Sequence, residues 1–105
     1  MAGEYLTVGS LIWEINVLQG IPGYGIPPES ATLRGLDLEQ SVTINNLSEI
    51  IKSETGKTTI FTRILMVIVD ILNKDEHVAD PNQPIDLDQG RPLVQRATNT
   101  LKRAV

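Results

Sequence analysis

The 105-residue chain carries 13 acids, nine bases and one histidine, for a net charge of −4, with 41% hydrophobic residues and no cysteine. That apolar content excludes a wholly disordered chain, the length fits one domain, and the missing cysteine excludes disulfides and thiolate chemistry. The charge is uneven. Residues 1–90 hold thirteen acids against five bases, whereas residues 91–105 hold Arg91, Arg96, Lys102 and Arg103 and no acid, an asymmetry that points to docking within the chain or onto a partner.

The opening MAGEYLTVGS has neither the basic region nor the apolar run of a secretory leader, so the expectation is a protein not exported by a signal peptide, cytoplasmic or held inside a particle. In SLIWEINVL, residues 10–18, Leu11, Trp13, Ile15 and Val17 alternate with polar positions, which predicts a strand. Leu11, Ile15 and Leu18 also form a helical stripe, so helix is the competing reading. QGIPGYGIPPES, residues 19–30, has three glycines and three prolines and reads as a loop with Tyr24 near its middle. Long loops of this kind often serve as contact segments.

LDLEQSVTIN, residues 36–45, alternates again: Leu36, Leu38, Val42 and Ile44 against Asp37, Glu39, Ser41, Thr43 and Asn45. That pattern predicts a half-buried strand pairing antiparallel with 10–18. Asn46 followed by Glu49 resembles a capping box and predicts a helix over 47–54. A second helix is predicted over 59–74. On it the apolar residues from Ile60 to Leu72 cover an arc of about 200°, twice what an ordinary surface helix needs. Such a helix requires cover on two sides, by the sheet and by something else. Residues 75–91 read as a polar loop. Pro92 suits the first turn of a last helix over 92–104, with Leu93, Ala97 and Leu101 inside and bases outside. The predicted class is therefore α+β: a two-stranded antiparallel sheet on three helices, in one domain. The longest uninterrupted apolar run, Ile64 to Val69, is far short of a membrane span.

Few motifs carry chemistry. Gly56-Lys57-Thr58 matches the end of a phosphate-binding loop, but the glycine needed five positions before Gly56 is Ile51, so a helix–helix corner is the reading. The segment LSEIIKSETGKTTIFTRIL, residues 47–65, resembles a DNA-binding helix-turn-helix, which implies a DNA-binding regulator as the alternative function. It departs from that motif at Thr55 and Lys57, where apolar residues flank the turn, and at Lys52, where a small residue belongs. It offers few bases to phosphates, so nucleic acid ranks low as a partner. His77 is the single histidine, which rules out a two-histidine metal site. Asp86 and Asp88 begin like a calcium loop, but Gly90 stands where the third ligand belongs.

No catalytic, cofactor-binding or metal-binding residue emerges, and no small-molecule substrate is evident. The expectation is a non-enzymatic structural or assembly protein, oligomeric, of the kind found in virions, phage or other multi-subunit particles. Its interface is drawn from Phe61, Leu65, Val69 and Leu72 on the central helix, Arg96, Leu101 and Arg103 on the last, and Tyr24 in the loop.

Overall fold

A computed structural model describes residues 4–18, 37–53 and 60–103. They form four helices: α1 (Val8–Leu18), α2 (Ile44–Ser53), α3 (Ile60–Asn73) and α4 (Gly90–Arg103), the last preceded by a 3-10 turn at Leu87–Gln89. Among the described residues no strand exceeds a single bridge, so the expected α+β sheet is replaced by a helical architecture.

Residues 10–18 are helical, not extended. The amide of Ser10 donates to Thr7 Oγ1 at 3.1 Å, and Leu11 N–H donates to the Thr7 carbonyl at 3.0 Å. Thr7 is thus the N-cap, holding an amide that the first turn would leave unpaired. Val8, Leu11, Ile12 and Ile15 are all buried. Their spacing is that of one helix face. Val8 and Ile12 have no place in the period-two pattern, and they decide the outcome.

The second expected strand also fails, for local reasons. Asp37 makes a turn, accepting the Glu39 amide on its carboxylate at 3.0 Å and the Gln40 amide on its carbonyl at 3.1 Å, as Asp does where its side chain imitates backbone. Only Ser41 to Thr43 lie outside both turn and helix before α2 begins at Ile44. The cap of α2 is Thr43 rather than Asn46: Asn46 N–H donates to Thr43 Oγ1 at 3.0 Å, and the Asn46 side chain donates to the Ser41 carbonyl at 2.7 Å. The helix therefore starts three residues earlier than expected. The Gly56–Thr58 corner and the 19–30 loop with Tyr24 lie outside the described residues.

Three short segments meet where a sheet was expected. Leu6 N–H donates to the Ile85 carbonyl at 2.7 Å, Ile85 N–H to the Val42 carbonyl at 3.2 Å, and Val42 N–H to the Leu6 carbonyl at 2.8 Å. This closed ring pairs buried backbone groups without a ladder, as their burial requires. Isolated antiparallel bridges, Tyr5 with Asp86 and Thr7 with Ser41, flank it. Each segment turns into helix within a few residues, which leaves no length for strands.

The core is aliphatic. Leu6, Leu11, Ile15, Val42, Leu47, Ile64, Ile68 and Val94 are all at most 1% exposed. α3 lies at its centre, packed against α2 and α4, and α1 packs on α4. The wide apolar arc of α3 is thus packed on two sides by helices of the same chain, while Val67, Val69 and Ile71 on it stay half-buried.

Candidate functional site

The segment after α3 is ordered by its own polar side chains. Asp75 accepts the His77 amide at 2.9 Å, and Asp80 accepts the Asn82 amide at 2.8 Å. Gln83 ties the two turns together, accepting from the Ala79 amide and donating to the His77 carbonyl, both at 3.0 Å. Asn45, at the start of α2, fastens the segment from outside: its side chain donates to Asn82 at 2.6 Å and its amide to the Pro81 carbonyl at 3.1 Å.

That ordered segment forms one wall of a cleft of about 320 Å³ between the end of α3 and α4. Leu72, Ile85 and Leu93 form an apolar base, all three buried. Asp75, His77, Asp86, Gln89 and Arg96 border it. A broader hollow of about 540 Å³ shares Asp75, His77 and Arg96 and reaches Asp70, Lys74 and Glu76. Lys74 is committed to Asp70 at 3.1 Å. The cleft lining supplies carboxylates, an imidazole, a guanidinium and amides. Among the described residues no group of three or more acidic, histidine or cysteine side chains can hold a metal ion.

A second surface is lined by different residues. Leu6, Ser10, Trp13, Glu14, Leu87 and Gly90 line a depression of about 140 Å³ where α1 meets the start of α4. Trp13 is half-buried there, and Val17, one turn further along α1, is 41% exposed. Leu87 is 40% exposed. At the edge, Arg91 Nε donates to Glu14 Oε2 at 3.1 Å, joining α4 to α1. Part of the basic C-terminal segment therefore docks on an acid of the same chain.

The residues singled out from sequence separate into four groups. Phe61, Leu65 and Leu72 are buried in the protein's own core, at 3% exposed or less. Val69 and Leu101 are half-buried against it. Arg96 and Arg103 are exposed on α4, and only Arg96 borders the cleft. Tyr24 lies outside the described residues. Trp13 and Leu87 are not among the residues that the sequence singles out, because its patterns put Trp13 on a strand and Leu87 in a polar loop. Of the segment that resembles a helix-turn-helix, the described residues carry only two bases, Lys52 and Arg63, both exposed.

No described helix is long and apolar enough to cross a membrane. Compared with protein-family models, curated proteins and solved structures, the chain has no match.

Proposed function

We propose that this protein is a non-enzymatic structural or assembly subunit, cytoplasmic or within a particle such as a virion, that acts by binding a second copy of itself. The observation that carries the reading is the apolar face formed by Trp13, Val17 and Leu87, left partly in water although the core beneath is closed. Aromatic and aliphatic side chains grouped on a surface are typical of interface centres. A two-fold contact needs a surface complementary to itself. Glu14 and Arg91, paired with each other at its edge, bring both signs of charge to this surface, which supports the reading. The wide arc of α3 no longer supports the reading, since α2 and α4 pack on it.

The test is the native mass by light scattering, for the wild type and for the Val17→Asp, Leu87→Asp double variant. A dimer that becomes a folded monomer in the variant is the expected result. A wild type that stays monomeric at millimolar concentration removes the proposal.

A further inference from the structure

We infer that the cleft between the end of α3 and α4 binds a small zwitterion with an apolar group, the chemistry of an aliphatic α-amino acid. The proposal does not rest on self-association: the side chains it uses, Asp86 and Arg96, are not among those that line the depression at Trp13.

Among the charged side chains and amides of the cleft, two are already used by the protein itself. Asp75 and Gln83 are occupied by the backbone of the 77–83 turns and hold the wall in shape. The Asp86 carboxylate and the Arg96 guanidinium are exposed, border the same cleft, and have no hydrogen bond or ion pair among the described residues, with each other or with anything else. Two unpaired opposite charges beside a buried apolar base formed by Leu72, Ile85 and Leu93 define three complementary contacts. A carboxylate on Arg96 makes a charge-assisted fork, an ammonium meets Asp86, and an aliphatic side chain covers the base. A simple anion would meet Arg96 but also face Asp75 and Asp86, and a simple cation would leave Arg96 unmatched, so a ligand with both charges fits the lining best. The volume, about 320 Å³, lies at the small end of ligand cavities, a size that suits a small ligand.

The experiment titrates leucine into isotope-labelled full-length protein and follows amide shifts by NMR. The expected result is saturable shifts confined to residues 72–96, with millimolar affinity. Leucinamide, which lacks the carboxylate, and N-acetyl-leucine, which lacks the ammonium, should each bind about tenfold more weakly. Arg96→Gln should abolish the preference over leucinamide alone, and Asp86→Asn the preference over N-acetyl-leucine alone. Both side chains are exposed, so both variants should fold. No saturable shift with leucine, or equal binding of all three compounds, overturns the assignment.

Discussion

Gly90 opens α4 directly against Leu6: a Cβ at position 90 would stand 2.7 Å from Leu6 Cδ1. The backbone of Gly90 is ordinary helix, φ −57 and ψ −56, so the requirement for glycine is steric and not conformational. Leu6 is 1% exposed and has little room to retreat. Gly90→Ala should therefore destabilise by about 1 kcal/mol, the overpacking cost reduced by alanine's better helix propensity. Shortening the neighbour with Leu6→Val should recover part of the loss, a coupling that denaturant unfolding of the double-mutant cycle measures. Additive effects would show that the close approach carries no energy.

Leu6 also belongs to the backbone ring with Val42 and Ile85. The ring joins the start of α1, the approach to α2 and the end of the 74–86 segment, so it cannot open without separating all three. The amides of Leu6, Val42 and Ile85 should exchange with solvent together, at the rate of the most protected amides of α3. Hydrogen exchange read by NMR decides this. Rapid exchange at Ile85 while α3 stays protected would mean that the segment opens alone.

Two helices begin on the same chemistry, Thr7 for α1 and Thr43 for α2. Thr43→Ala should cost about 1 kcal/mol, the usual loss for a removed N-cap. Asn46→Ala should cost less, since its partly buried side chain makes one bond, to the Ser41 carbonyl. If Asn46→Ala proves the more damaging in thermal unfolding, the cap belongs to Asn46 after all.

These caps explain why helix number was partly legible and strands were misread. The α3 pattern is long enough to express only one period, and its end at Asn73 agrees with expectation to one residue. SLIWEINVL is nine residues, and its apolar positions satisfy both periods at once. Reading from Thr7 instead of Ser10 adds the cap, Val8 and a three–four spacing. In 36–45 the alternation of the sequence does not carry into burial: Val42, Thr43 and Ile44 are all buried. Val42 belongs to the backbone ring and Ile44 to a helix start, with Thr43 as the cap between them. The cleft was not legible, because its base and rim come from residues as far apart as Leu72 and Arg96 and depend on how the 74–86 segment turns.

The α3 core offers a contrast in magnitude. Ile68 is fully buried and Met66, two positions away, is 54% exposed. Ile68→Ala should cost 2–5 kcal/mol, transfer and cavity together, and Met66→Ala roughly 0.5 kcal/mol or less. Similar costs in urea unfolding would mean that α3 is rotated from the orientation described.

The last expectation concerns the opposite charges of the chain. Arg91 and Glu14 meet at 3.1 Å, but the Arg91 side chain is 63% exposed and that of Glu14 16%. An ion pair open to water on one side contributes about 0–1 kcal/mol. Its coupling in an Arg91→Gln, Glu14→Gln cycle should be a few tenths of a kcal/mol at low salt and vanish at 1 M, where screening acts within about 3 Å. The apolar inner face of α4, with Leu93, Val94 and Ala97 buried, is then what holds the helix in place, so Val94→Ala should destabilise more than either charge removal. A salt-insensitive coupling above about 2 kcal/mol would reverse that order, and α4 would be held by charge.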